Sequence, residues 1–257
     1  MSATVTGLAF TPVKGLRLRN VEALAIGERG VIGDRRFYVI DARDRMVNGK
    51  TIGELSAVVA SLDGERLELA FPDGRVATEE VREGAPIRTR FYSLTREDRL
   101  VEGPWAAALS EHVGQPLRLV EVSPGRSAID RGALGGVSVI SRASLTRLAG
   151  EGEVGTIDAR RFRMTVEVDG IDAHAEDAWI DRRVRIGGAL VRFRGNVGRC
   201  LITSRDADTG VIDLPTLDML GRYRADTKTT EPLPFGIYGE VLEPGAVALG
   251  DAVALSD

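Results

Sequence analysis

Short runs of β-branched or alternating residues, each closed off by Gly, Asp or Pro, recur along this chain of 257 residues and restrict its fold more than any other feature. They cover residues 21–26, 36–41, 58–62, 67–71, 117–122, 165–168, 184–186, 190–194 and 247–253. Alternation puts every second side chain on one face, so such runs read as strands with one face in a core. Tight-turn pairs separate several of them: Asp63-Gly64, Pro72-Asp73-Gly74, Asp169-Gly170 and Gly187-Gly188. Helical spacing is scarcer. Residues 104–113 put Trp105, Leu109 and Val113 on one face, residues 141–148 follow a possible Ser N-cap, and residues 217–222 begin a third pattern. The expected class is mainly β with peripheral helices (α+β), and barrels are favoured over a doubly wound sheet. Residues 123–136 form the clearest long loop, with five glycines or prolines. Loops of that length in compact domains tend to be functional or mobile.

Charge and hydropathy exclude several roles. The net charge of −4 creates no bulk field that would recruit nucleic acid or anionic membrane. No apolar run approaches the ~20 residues that span a bilayer, and the first twenty residues lack the order of a secretion signal. A cytoplasmic location is the default expectation, with no membrane and no nucleic-acid partner. Nearly all basic residues are arginine; only Lys14, Lys50 and Lys228 are lysine. Guanidinium forks bind carboxylate and phosphate in pairs, so an anion pocket in this chain would be built mainly from Arg.

Cys200 is the only cysteine. A lone thiol makes no intramolecular disulfide, no CxxC pair and no multi-cysteine zinc cage. An inert buried thiol, a nucleophile and a single soft metal ligand remain open. Arg199 and Arg205 lie close in sequence, and nearby positive charge favours a thiolate. Lys14, Arg35 and Arg163 each sit in a turn-like or strand-end context, where a surface charge is the ordinary reading. Together with Cys200 they could also form an anion pocket beside a thiolate. Asp206-Ala207-Asp208-Thr209-Gly210 opens like a calcium loop, but the twelfth position is Leu217 rather than Glu, so an Asx-type turn is the better account. His112 falls on a predicted helix. His174 could act as acid or base, without an identifiable partner. No HExxH, GxSxG, Walker A or GxGxxG context occurs.

One series of motifs goes further. Ser138-Val139-Ile140-Ser141, Arg161-Phe162-Arg163, Glu176-Asp177-Ala178-Trp179, Arg185-Ile186-Gly187, Arg199-Cys200 with the Asp206–Gly210 series, residues 217–224, Phe235-Gly236-Ile237-Tyr238 and Gly250-Asp251-Ala252-Val253 follow in order. From Gly136 onward the chain resembles a MOSC domain, the module named after the C-terminal part of molybdenum cofactor sulfurases. Val13-Lys14-Gly15 and Gly33-Asp34-Arg35-Arg36-Phe37 resemble the β-barrel domain that usually precedes it. The resemblance implies a smaller barrel-like domain at residues 1–120, with residues 1–35 able to pack against the second, and a MOSC barrel at 121–257. It also implies a pocket for molybdenum cofactor (molybdopterin), with Cys200 as the metal's protein ligand and as the catalytic residue. Lys14, Arg35 and Arg163 would hold the pterin's phosphate and ring, Ser141 and Tyr238 are pocket-side positions, and Thr165 and Arg199 complete the cofactor-binding candidates. Relatives of this layout reduce N-hydroxylated compounds with electrons from a separate redox protein. Two alternatives stand beside that function. One is metal-free, cysteine-dependent sulfur transfer or C–S cleavage on a small anionic substrate; the other is a cofactor carrier. The chain departs from the family pattern at Gly15 and Gly198, where Ser is common, and at Met164-Thr165, where Pro-Asn is usual.

Overall fold

The computed structural model describes residues 3–256. Its centre is a closed barrel of seven strands. In order around the barrel they are Ala3–Phe10, Val166–Asp169, Val137–Ser141, Pro234–Glu243, Ala189–Gly198, Arg183–Ile186 and Ala252–Ser256, with the last returning to the first. Alternating valines and isoleucines point inward from these strands: Val5, Val139, Val168, Val184, Ile186, Val191, Ile237 and Val253 are all buried in one cluster with Phe193. Closure removes the free edges that an open sheet would expose. The barrel is mixed, since Val137–Ser141 runs parallel to Val166–Asp169 and antiparallel to Pro234–Glu243.

The strand that closes the barrel comes from the chain's start. Ala3–Phe10 pairs with Val166–Asp169 on one side and with Ala252–Ser256 on the other. A division at residue 120 is therefore crossed by this segment. From Val13 the chain enters a second unit. There Val13–Lys14 lies parallel beside Phe37–Asp41, and Leu117–Glu121, Leu94–Glu102 and Arg82–Phe91 extend that sheet. A three-stranded meander, Val59–Asp63, Arg66–Ala70 and Val76–Glu80, packs against it with helix α1 (Trp105–Val113). Trp105 and Leu109 of α1 are fully buried in that second core, and the Trp105 indole N–H donates to the Leu67 carbonyl at 3.1 Å. Gly114, left-handed at φ 75°, ends α1, as a glycine just beyond a helix commonly does.

The two other helices flank the barrel. Helix α2 (Arg142–Glu151) starts at Ser141, whose hydroxyl accepts from the Ser144 amide at 3.1 Å. Helix α3 (Thr216–Arg224) packs beside it through Met219 and Leu220. The run 247–253 is not one strand. Gly250, at φ 88°, and Asp251 break it into Gly245–Ala248 and Ala252–Ser256, and the Asp251 carboxylate accepts from the Ala248 amide at 2.8 Å. Among the described residues no helix is long and apolar enough to cross a membrane.

Candidate functional site: a cationic cavity between the two units

A cavity of about 370 Å³ opens where the barrel meets the N-terminal unit. Its wall includes Lys14, Arg35, Arg163, Thr165, Arg199, Cys200 and Tyr238, seven of the eight residues expected from sequence. Lys14 arrives on the short strand beside Phe37–Asp41, and Arg35 on the turn leading into that strand. Arg163 closes the turn after Ala159–Phe162. Cys200, half-buried, caps the turn Leu201–Ser204 at the end of the long barrel strand Ala189–Gly198. Residues far apart in sequence thus meet because the first strand, Ala3–Phe10, closes the barrel and the chain then passes directly into the second unit.

The cations are incompletely neutralised. Lys14 Nζ is 2.5 Å from Asp130, and Arg35 pairs with the fully buried Asp34 side chain. Arg163 has no carboxylate partner among the described residues; its guanidinium donates to the Leu16 carbonyl at 2.8 Å. Burial lowers the Arg163 pKa to about 10, and Arg35 adds to the effect. Burial also pulls Lys14 below the ordinary lysine range; Asp130 opposes this, and Arg35 and Arg163 reinforce it. Positive charge held in low dielectric with too few carboxylates is a receptor for an anion. The backbone is strained to make it. Arg35, Tyr92 and Arg163 lie at φ 49°, 55° and 56°, a region that non-glycine residues enter at a cost of roughly 1–3 kcal/mol each and that is concentrated at functional sites.

Two expected cofactor contacts are turned to other work. The buried Arg199 guanidinium donates to the carbonyls of Phe162 and Phe235, and it reaches the Met164 sulfur at 3.2 Å. It ties the Arg163 turn to the strand Pro234–Glu243, and burial lowers its pKa to about 9. The Thr165 hydroxyl accepts from the Ser138 amide at 2.8 Å and donates to the Ser138 carbonyl at 2.9 Å, so its proton serves the wall itself. Ser141 does not line the cavity. It is fully buried as the N-cap of α2, and its amide donates to the buried Glu176 carboxylate at 3.2 Å. The Ser-x-x-Ser spacing there is helix capping, which explains the residue without any ligand.

Other wall residues had no counterpart in the motif reading. Asn48, Tyr92, Asp130 and Arg131 all line the cavity. Asn48 Nδ2 donates to the Tyr92 hydroxyl at 3.0 Å, and the Arg131 guanidinium lies 4.8 Å from the Tyr238 ring centre. Asn48-Gly49 is a pair of the kind that marks turns but was not among those read from the sequence, and Asp130 lay in the long loop; their approach to the cavity is tertiary.

Both glycine departures have a steric reason. Gly15 sits at φ 94°, and a Cβ there would come within 2.9 Å of the Asn48 Cα. A Cβ on Gly198 would meet the Glu231 carboxylate at 2.7 Å and the Pro232 carbonyl at 3.1 Å. Restoring the common serine with Gly15→Ser is expected to cost about 1–2 kcal/mol by urea unfolding, and Gly15→Ala to cost as much, because backbone strain and not the hydroxyl sets the penalty. A Gly15→Ser protein as stable as wild type would refute this.

The Asp206–Gly210 series is an Asx turn. Asp206 Oδ1 accepts from the Asp208 and Thr209 amides at 3.1 and 2.8 Å. Asp208 meets Arg160 at 2.8 and 2.9 Å and Arg17 at 3.3 Å, clamping the first segment to the Arg163 turn region.

His174 lies outside the cavity lining. Both ring nitrogens are buried without a hydrogen-bond partner, beside Tyr223 and Phe235. Burial holds its pKa at about 4, with Arg224 and Arg147 assisting and Asp177 opposing. The unfolded value is near 6.5. The unfolded chain therefore binds the extra proton between these two values. Stability from this group is complete above about pH 6.5 and falls as pH drops toward 4. Neighbouring Glu176, raised by burial, acts in the opposite sense, losing stability as pH rises above its unfolded value. With partial solvent access discounted, wild type should lose about 1–2 kcal/mol between pH 7 and 4.5 relative to His174→Phe. Parallel urea curves for the two proteins across that range would contradict it.

The chain belongs to the MOSC family: the MOSC domain matches residues 131–254, and the MOSC N-terminal beta barrel domain matches residues 2–108. Among individual relatives, human mitochondrial amidoxime-reducing component 1 is 27% identical over 281 residues, covering 98% of this chain and 82% of that protein. Human mitochondrial amidoxime reducing component 2 is 40% identical over 99 residues, which is 36% of this chain and 29% of that one. The crystal structure of the YUAD protein from Bacillus subtilis aligns over 98% of this chain and 94% of that chain, with a TM-score of 0.46 and 14% identity.

Proposed function

We propose that this protein is an oxidoreductase that reduces N-hydroxylated compounds, amidoximes among them, with molybdenum cofactor held in the cationic cavity. The observation that carries this reading is the meeting of Lys14, Arg35, Arg163 and Cys200 on one cavity wall. The residues fit an anionic, thiolate-liganded group. Arg163 lacks a carboxylate partner, fixed guanidinium and ammonium donors suit a phosphate, and a thiolate suits a soft metal. Relatives named for amidoxime reduction match over nearly the whole chain.

Lys14, Arg35 and Arg163 would hold the phosphate and ring, and Cys200 would ligate the metal. When bound, the cofactor supplies a two-electron redox centre. Arg199 fixes the Arg163 turn through the Phe162 carbonyl, so Arg163 enters the site already oriented. Reduction of an N-hydroxy group consumes two electrons and two protons and releases water. One cysteine cannot hold an iron–sulfur cluster, so the electrons would come from a separate redox protein.

The test is molybdenum per chain by elemental analysis on protein from a host that makes the cofactor, followed by turnover of an amidoxime with an artificial electron donor. Near-stoichiometric metal with turnover is the expected result. Metal without turnover would leave a carrier. Well-folded protein without molybdenum would overturn the proposal in favour of thiol chemistry on a small anionic substrate.

A further inference from the structure

The loop over the cavity carries the cavity's own anion. Lys14 is nearly buried, with its side chain 8% exposed, whereas its partner Asp130 is 55% exposed and hangs from the loop. The arch is anchored before and after this point. On one side the Ala128 amide donates to the Arg35 carbonyl at 3.0 Å, and Ala128 is fully buried. On the other, Gly136 packs backbone to backbone on Gly30, where a Cβ on either would overlap the other. Between the anchors, residues 129–135 make no backbone–backbone hydrogen bond to the rest of the described protein; the Gly132 amide bonds only to Ile129 within the arch. The turn Gly132–Gly135 lies against the strand Pro234–Glu243, and side-chain charge draws the tip before it inward. Asp130 meets Lys14, and Arg131 meets Glu231 while lying over Tyr238. Segments tied by so few bonds open at low cost.

We propose that Asp130 is an autoinhibitory counter-ion: it occupies Lys14 in place of a ligand phosphate, so that phosphate binding and arch closure exclude one another. A phosphate dianion reaching Lys14 takes over the charge that Asp130 neutralises and repels the carboxylate, and the arch tip lifts with it. Filling the cavity thereby uncovers its mouth beside Cys200. Removing the carboxylate leaves Lys14 unmasked and the tip untied. The inference rests on the proposed function only through the anion pocket, and it needs no turnover.

Phosphate binding and limited trypsin digestion, both on protein without cofactor, test it, since Arg131 at the arch tip is itself a trypsin site. Inorganic phosphate should bind Asp130→Asn about fivefold tighter than wild type, the size expected for removing one partly exposed competing ion pair. Cleavage after Arg131 should be slow in wild type, accelerate when phosphate is added, and be fast in Asp130→Asn without it. Equal phosphate affinity in the two proteins overturns the gate and leaves the proposed function standing. If neither protein binds phosphate, the anion pocket falls and the gate falls with it.

Discussion

Cys200→Ser, purified from a host that makes the cofactor, should contain less than about one hundredth of the wild-type molybdenum and show a matching loss of amidoxime turnover. Losing even a group that only supports a metal ligand costs about 10–100-fold in metal affinity, and here the proposed ligand itself would be exchanged for a hard, weakly acidic hydroxyl. The fold should survive. Cys200 is half-buried, its carbonyl and not its sulfur receives the Thr203 amide and hydroxyl, and a swap of this size changes stability by about 1 kcal/mol or less. A folded Cys200→Ser protein that keeps its metal and its activity would remove Cys200 from the chemistry, whether as ligand or as nucleophile.

Arg163→Gly should separate function from stability. Glycine adopts the left-handed backbone of residue 163 without strain, and it also relieves the burial of an unpaired guanidinium. Against this stands one lost hydrogen bond to the Leu16 carbonyl, worth about 1 kcal/mol. The net expectation is a gain of about 1 kcal/mol in unfolding free energy. Phosphate affinity should nevertheless fall about ten- to a hundredfold, since a hydrogen bond to a charged group carries about 1.5–3 kcal/mol. The site would then be paid for in stability, as strained functional sites often are. Urea unfolding and phosphate titration of the same sample check both signs. A less stable variant with unchanged affinity would make Arg163 a structural residue.

Legibility in the sequence followed the strength of local signals. The three helices emerged because each has an amphipathic face and two have clear stops or caps, Gly114 and Ser141. The strand Ala3–Phe10 was not among the runs read as strands, since a register shift around Gly7 interrupts its alternation. The hairpin Arg82–Phe91 with Leu94–Glu102 escaped as well. It is rich in charge and largely exposed, so its hydrophobic period is weak. The run 247–253 looked continuous because its valines and alanines hide a Gly-Asp turn.

The cavity was half legible. Lys14, Arg35, Arg163 and Cys200 were found through motif order, and physics alone would have left them as surface charges and a thiol. Ser141 was misplaced because its motif position coincides with a helix cap. Thr165 and Arg199 reach the wall but spend their donors on neighbouring backbone. Asn48, Tyr92 and Asp130 carry no motif, and only the closeness of three separate loops makes them neighbours.

Because the barrel is closed by Ala3–Phe10, this strand is made well before either of its partners and is among the last to find them. One neighbour is made after some 160 residues and the other after some 250. Such distant pairings fold slowly. Until residues 252–256 emerge, the opening strand has a bare edge that any passing strand could occupy. The nascent protein is therefore exposed to mispairing until residues 252–256 are free to pair, and a nascent chain stalled short of residue 252 would present an open barrel.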